Sequence, residues 1–120
     1  MSQDTPLFAK TYDLIAYLLS ASEKFPRSHR YVLGRRLQEV ALDFLDLLLA
    51  ARKCAPDERG DLLRHADLEL DRLRYTVRLC QEVGVFSLKQ YRHASGLLAE
   101  VGRLVGKWLQ RYNRSNGAQR

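Results

Sequence analysis

Apolar residues recur along this chain at intervals of three and four, with charged and polar residues between them, which is the pattern of amphipathic α-helices. The cleanest run steps by four, three, four, three and four residues, through Leu33, Leu37, Val40, Phe44, Leu47 and Ala51. Such spacing keeps one side of a helix against a partner. No alternating apolar and polar run of the kind that is typical of strands persists in the sequence. The pattern therefore predicts an all-α protein.

Prolines and glycines divide this pattern into four segments. Phe25-Pro26 ends the first, because proline disfavours helical geometry in the residue before it, and Pro56 ends the second. Gly84 supplies the left-handed position that commonly closes a helix. Helices are predicted at about residues 6–24, 29–53, 58–83 and 88–112, followed by a polar, frayed tail at 113–120.

Two side-chain caps are predicted for these helices. Ser28 is expected to cap the second, and Ser87 with Gln90 three residues later forms a capping box for the fourth. Loops of about three to six residues force neighbouring helices to reverse direction. We therefore expect residues 1–120 to form a single domain, an up-down-up-down antiparallel four-helix bundle. Its Phe25–Ser28 and Val85–Phe86 turns would lie at one end and its Cys54–Asp57 turn at the other.

The sequence contains none of the common catalytic or metal-binding motifs. It has no glycine-rich phosphate loop, no Cys-x-x-Cys and no His-Glu-x-x-His, and its three histidines lie in three different helical segments. We therefore expect a protein that is not an enzyme and has no cofactor and no metal site. Cys54 and Cys80 are interpreted as a reduced loop thiol and a small core residue. No apolar run reaches the roughly eighteen residues of a membrane span, and the start MSQDTPLF lacks a signal pattern, so a cytoplasmic location is expected.

The net positive charge of the chain indicates that the predicted bundle binds a partner. The formal charge is +6 and the isoelectric point is near 9.6, which favours an anionic partner. Four arginines, Arg27, Arg30, Arg35 and Arg36, follow the Phe25-Pro26 turn with no acidic residue before Glu39. Cations near a helix N-terminus oppose its dipole, so local helix stability does not require them. A negatively charged partner is one reason to keep them.

A second basic group lies on the fourth predicted helix. Arg103, Lys107, Arg111 and Arg114 are spaced by four, four and three residues, with no acidic residue after Glu100. A stripe of cations at this spacing suits the phosphates of a nucleic acid, although cations near a helix C-terminus also suit the dipole and aid solubility. The lack of acids favours nucleic acid over an acidic protein partner.

The third predicted helix adds two further candidates, Arg74 and Arg78, which could extend the patch if this helix lies beside the fourth. Acidic residues on the same helix weaken this prediction, because the spacing pairs Asp67 with Arg64 and Asp71 with Arg74 one turn apart. Gly34, Gly102 and Gly106 are costly inside helices, so they predict close approach of another backbone or are merely tolerated. A helix from another subunit could dock on Gly102 and Gly106.

The segment Phe25–Leu37 resembles the accessory variability determinant (Avd) proteins of diversity-generating retroelements. The likeness lies at Phe25, Pro26, Arg30, Leu33, Gly34 and the pair Arg35-Arg36, and in architecture it covers nearly the whole chain. These proteins belong with a wider family of four-helix bundles that includes those encoded in 23S ribosomal RNA intervening sequences.

The resemblance implies a pentameric barrel of basic four-helix protomers without a catalytic centre. Such a protein binds the retroelement's reverse transcriptase and its template RNA, with a DNA/RNA hybrid as a further ligand, and supports mutagenic cDNA synthesis and retrohoming. The ten candidate binding residues, which are the basic residues named above except Arg64, would then face RNA, polymerase or a neighbouring protomer. Two alternatives stay open, a stand-alone RNA-binding bundle of the intervening-sequence type and an adaptor for acidic proteins.

Overall fold

The computed structural model describes residues 5–118 of the chain and the side chains of residues 6–115. Within these residues every regular element is helical and no strand occurs. The elements are α1 (Thr5–Ser22), α2 (Arg27–His29), a π-helical segment (Arg30–Gly34), α3 (Arg35–Lys53), a 3₁₀ turn (Pro56–Glu58), α4 (Arg59–Glu82) and α5 (Leu88–Ala118). The prediction of an all-α protein with four main helices is confirmed, since α2, the π-helical segment and α3 form one continuous rod.

The four rods pack in a closed ring in which α1 contacts α3 and α5, and α4 contacts the same two helices. The molecule is elongated, with extents of 53 × 23 × 23 Å. One apolar core runs along it, and its largest fully buried side chains include Phe25, Phe44 and Phe86. This arrangement is compatible with the predicted up-down-up-down order, because the Phe25 and Phe86 rings from two different turns meet at 5.3 Å.

The turn between α4 and α5 follows the sequence closely. Gly84 has a φ of +88°, the left-handed value that glycine adopts without strain, and the amides of Val85 and Phe86 return to the carbonyl of Cys80. The Ser87 amide donates to Gln90 Oε1 at 2.8 Å, and the Gln90 amide donates to Ser87 Oγ at 3.1 Å. The predicted capping box is therefore confirmed.

The turn between α1 and α2 differs from the prediction. Helix α2 begins at Arg27, directly after Pro26, and no side chain caps it, so the expected cap at Ser28 is wrong. Pro26 itself occupies the N-cap position, and its side chain has no oxygen that could accept a hydrogen bond from the first amides of the helix. Helix α1 ends at Ser22 rather than near residue 24.

The last helix is longer than its apolar pattern suggests. Helix α5 continues to Ala118, so the tail that the sequence predicted from residue 113 is helical as far as the structure describes it. Residues 1–4 and 119–120 of the predicted domain lie outside the described residues. Among the helices that are described, none combines the length and the apolar character that a membrane crossing needs.

At two of the described glycines, a Cβ would come too close to a side chain of the same chain. A Cβ at Gly102 would overlap the guanidinium of Arg74, and one at Gly60 would come within 2.6 Å of the Tyr112 ring. Nothing lies within 4 Å of the same position at Gly106. Within the protomer, the end of the flexible Arg74 side chain therefore covers Gly102, and docking of another subunit on Gly102 and Gly106 stays a prediction.

Candidate nucleic-acid interface

The arginine-rich segment lies on a turn that aromatic packing fixes. Phe25 is buried against Phe86, and Gly34 lies beside it, with space for a Cβ at an ordinary contact distance of 3.4 Å from the Phe25 ring. The helix widens at this point, and the Arg35 amide donates to the carbonyl of Arg30, five residues earlier. Tyr31 and Val32 therefore stand on the outside, about 69% and 70% exposed.

All four arginines of this segment are exposed, but they differ in what they contact. Arg30 donates to the carbonyl of Phe25 at 3.3 Å, and Arg35 Nε lies 3.6 Å from Glu39 Oε2. Arg27 and Arg36 have no carboxylate partner among the described side chains. Arg36 nevertheless shares a shallow depression with acidic residues of α3 and α4, so the field around it is weaker than its exposure suggests.

The arginines of α4 are mostly held in ion pairs one turn apart. Arg74 Nη1 lies 2.6 Å from Asp71 Oδ1, and Arg78 Nε lies 3.2 Å from Glu82 Oε1. The predicted pairing of Arg74 with Asp71 is therefore confirmed, whereas Arg64 pairs with Asp61 rather than with Asp67. Each exposed ion pair stabilises the fold by only about 0.2–1 kcal/mol. The paired arginines therefore add less positive charge to the surface, but an anionic partner can still displace their carboxylates.

The basic stripe of α5 becomes less compensated toward the C-terminal end. Arg103 Nη2 lies 3.9 Å from Glu100 Oε1, the same oxygen that Lys10 approaches at 3.7 Å. Beyond it, Lys107, Arg111 and Arg114 have no carboxylate within ion-pair distance among the described side chains. Among the described side chains, six of the ten predicted binding residues thus have no carboxylate within ion-pair distance: Arg27, Arg30, Arg36, Lys107, Arg111 and Arg114.

The structure separates these charges into two regions. The Phe25 and Phe86 turns lie at the end where α5 begins, whereas Arg111 is 23 residues further along α5 than Leu88. At about 1.5 Å per residue this is roughly 35 Å along the helix. The two groups of cations therefore cannot meet the same few phosphates.

A cavity of about 470 Å³ occupies the second end. Its lining residues are Pro56, Asp57, Arg59, Trp108, Arg111, Tyr112 and Ser115. Arg59 fixes the adjoining turn, since its Nε donates to the carbonyl of Ala51 at 2.7 Å and its Nη2 to that of Cys54 at 3.3 Å. Arg111, in contrast, has no such partner among the described residues and is half-buried at the rim.

Sequence reasoning missed part of this end. Trp108 and Tyr112 continue the apolar spacing of Val101 and Val105, which predicts inward positions, yet both are half-buried and line the cavity. Arg52 was not singled out, although its guanidinium lies 4.4 Å from the centre of the Phe8 ring, which itself packs edge to face against Trp108. The signal that could have found them was the mixture of aromatic and basic residues in the last turns of α5.

No arrangement suited to metal binding occurs among the described residues. Cys54 and Cys80 are both free; the first lies half-buried in a turn and the second is buried in the core, as predicted. Burial raises the pKa of the Cys80 thiol to about 11, so it stays protonated at neutral pH.

The fold and its surface define a basic four-helix protein with two separate groups of cations. A model of the bAvd-like family matches residues 7–112, and the chain belongs to that family. The match confirms the resemblance to Avd proteins and indicates an accessory role in a diversity-generating retroelement. A search of curated proteins finds no match.

Proposed function

We propose that this protein is a non-catalytic accessory subunit of a diversity-generating retroelement that binds the reverse transcriptase and the template RNA. In this role it supports mutagenic cDNA synthesis and retrohoming in the cytoplasm. The observation that carries the proposal is the family match, which extends over nearly the whole chain. In this protein the four rods would form an up-down-up-down antiparallel bundle, and the contact of Phe25 with Phe86 is the main support for that order.

The distribution of charge supports a polyanionic partner. Lys107, Arg111 and Arg114 follow one another along α5 without a compensating carboxylate among the described side chains. Phosphates can approach such a stripe without first breaking ion pairs, and each phosphate that is neutralised releases counterions. The template RNA, or a hybrid of RNA with the new cDNA, supplies phosphates at the required spacing.

An exposed apolar stripe on α4 supports self-association, with five copies as the number that the resemblance implies. Leu68, Tyr75 and Leu79 are spaced by seven and four residues, so they share one face of the helix; Tyr75 is largely exposed and the two leucines are about half exposed. A second copy of the chain would remove this apolar surface from water. We expect light scattering after size-exclusion chromatography to give an oligomer.

Tyr75→Glu should shift that oligomer toward monomer, because it places a charge in the stripe. Tyr12→Glu is the matched control, since Tyr12 is equally exposed but lies on α1. A wild-type protein that elutes as a clean monomer at micromolar concentration would contradict the assembly.

The decisive experiment is co-purification with the reverse transcriptase encoded at the same locus, with and without ribonuclease. We expect the two proteins to stay together, and RNA from the template region to be recovered only without ribonuclease. Recovery of RNA without any reverse transcriptase would instead favour a stand-alone bundle of the intervening-sequence type. Recovery of neither would refute the proposal.

A further inference from the structure

The cavity at the second end of the bundle combines aromatic rings with an arginine that has no carboxylate partner among the described side chains. Its volume of about 470 Å³ falls within the range of roughly 300–1,000 Å³ that is usual for small-ligand sites. Trp108 and Tyr112 stand one helical turn apart on α5 and line it together with Arg111. The opposite wall comes from the Pro56–Glu58 turn and from Arg59.

The two rings are held in place by contacts outside the cavity. Tyr112 lies against Gly60 in the first turn of α4, where a Cβ would come within 2.6 Å of the ring. Trp108 packs edge to face on Phe8, with 6.4 Å between ring centres. The guanidinium of Arg52 covers the Phe8 ring. These contacts fix both rings before any ligand arrives, which lowers the entropy cost of stacking on them.

The polar groups of the cavity select the kind of ligand. Arg59 is occupied by two backbone carbonyls, whereas Arg111 has no carboxylate partner among the described side chains. Arg111 is therefore available to a phosphate, and Asp57 can accept a hydrogen bond from the N–H groups of a base. The cavity therefore suits a ligand that has a planar ring, a nearby anionic group and a hydrogen-bond donor. A nucleotide has all three.

We propose that this cavity binds one unpaired nucleotide of single-stranded RNA, with the base stacked on Trp108 or Tyr112 and the phosphate held by Arg111. The inference rests on the proposed RNA-binding function and gives it a location. Proteins that bind single strands commonly join a basic track to aromatic stacking platforms. Here Lys107 and Arg114 on the same helix would continue the track on either side of Arg111.

Trp108 is the only tryptophan of the chain, so its fluorescence reports directly on this cavity. We expect a short, unstructured oligouridylate to quench the fluorescence in a saturable way, at the same concentrations at which the anisotropy of a labelled copy rises. Free uridine monophosphate should quench only at much higher concentration. Equal quenching by the free nucleotide, at matched nucleotide concentration, would overturn the assignment to RNA.

Two variants test the stacking geometry. Tyr112→Ala should weaken oligouridylate binding about 5- to 150-fold, the range reported by removal of one stacked aromatic residue. Gly60→Ala should weaken it as well, because the new methyl group displaces the Tyr112 ring while every aromatic and charged group remains. Tyr12→Ala on α1 and Arg92→Gln at the far end of α5 serve as controls. Both should bind like the wild type, and circular dichroism should show unchanged helix content in all four variants.

One result separates this inference from the function on which it rests. If anisotropy reports RNA binding while Trp108 fluorescence and the affinity of Tyr112→Ala stay unchanged, RNA binds elsewhere and the cavity is not its site. The accessory function would stand in that case. If neither signal responds to RNA, both the cavity assignment and the RNA-binding part of the function are overturned.

Discussion

The two ends of the bundle carry similar charge but use their aromatic side chains differently. At the end formed by the Phe25 and Phe86 turns, both rings are buried against each other and the arginines lie outside them. At the other end, Trp108 and Tyr112 are half-buried and share a cavity with Arg111. A buried ring contributes to stability, whereas a ring that is partly open to solvent also offers a face to a ligand.

The comparison shows why charge alone does not locate a binding site in this protein. Arg27 and Arg36 are as free of carboxylate partners as Lys107 and Arg111 are, within the described side chains. They differ in their surroundings, because Arg111 shares its cavity with two half-buried rings, whereas Arg36 shares its depression with acidic residues of α3 and α4. We therefore expect substitutions at the first end to change mainly the free energy of unfolding, and substitutions at the second end to change mainly the affinity for RNA.

The largest difference should appear in stability when one ring is removed from each end. Phe25→Ala should lower the free energy of unfolding by about 3–5 kcal/mol, because it empties a fully packed site. Trp108→Ala should cost less, since part of its ring already touches solvent, yet it should weaken RNA binding more. Urea denaturation and RNA anisotropy measure the two effects. A smaller loss of stability for Phe25→Ala than for Trp108→Ala would break the comparison.

The two cysteines allow the burial of a thiol to be compared between the same two ends. Cys54 lies in the turn beside the cavity, whereas Cys80 is buried at the end of α4 that Phe86 closes. The pKa of the Cys80 thiol is raised from 9.0 to about 11 by burial, so the folded state holds its proton more tightly than the unfolded state. The contribution of Cys80 to stability is therefore complete below pH 9 and is lost as the pH rises toward 11.

The loss should amount to roughly 2–3 kcal/mol, since each unit of pKa shift corresponds to about 1.4 kcal/mol. It is measured as the difference between the wild type and Cys80→Ala in unfolding free energy at pH 8 and near pH 11. At neutral pH a thiol reagent should modify Cys54 well before Cys80. Equal modification rates in the folded protein would show that the Phe86 end is open.

The helices were predictable from the sequence because their signals are local. The spacing of Leu37, Val40 and Phe44 marks a buried face, and all three residues are buried. The Ser87 capping box joins residues only three apart. The π-helical segment was not predictable in this way, because it accompanies the contact of Gly34 with Phe25 on a preceding turn.

The candidate site could be predicted only in part, for the same reason. The cations can be read from the sequence, and ion pairs such as Arg74 with Asp71 follow from one-turn spacing. The cavity depends on Gly60 and Tyr112, which lie far apart along the chain and meet only through the packing of α4 on α5. Tyr12 continues the apolar spacing of Phe8 and Ile15, which predicts an inward position, yet it is about 72% exposed because tertiary packing decides which residues are covered.

One glycine from each end sharpens the comparison at a smaller scale. Gly60→Ala should lower the free energy of unfolding by about 1–3 kcal/mol, because the Tyr112 ring has to move. Gly34→Ala should raise it by about 0.5–1 kcal/mol, since the methyl group meets Phe25 at ordinary contact distance and the backbone is already helical. The pair Gly60→Ala and Tyr112→Ala tests the cause. In a Tyr112→Ala background, Gly60→Ala should raise the free energy of unfolding. If it still lowers that free energy, a contact other than the Tyr112 ring is responsible.

The smallest effects should come from single charges. Among the described side chains, each end has a basic residue with a carboxylate partner and one without. Lys107→Gln should reduce the slope of log affinity against log salt by about 0.7 for single-stranded RNA, the share of one phosphate contact. Arg103→Gln should reduce it less, because Arg103 shares Glu100 with Lys10.

At the other end, Arg36→Gln and Arg35→Gln form the corresponding pair, with Arg35 held by Glu39. With an oligonucleotide too short to span the roughly 35 Å between the ends, only the Lys107 pair should change the slope. With a longer RNA, Arg36→Gln should begin to matter as well, because the strand then reaches both groups. If Arg36→Gln changes the slope for the short RNA and Lys107→Gln does not, the strand binds at the Phe25 end. In that case the buried rings would not prevent binding there, and exposed arginines beside Tyr31 would be sufficient for it.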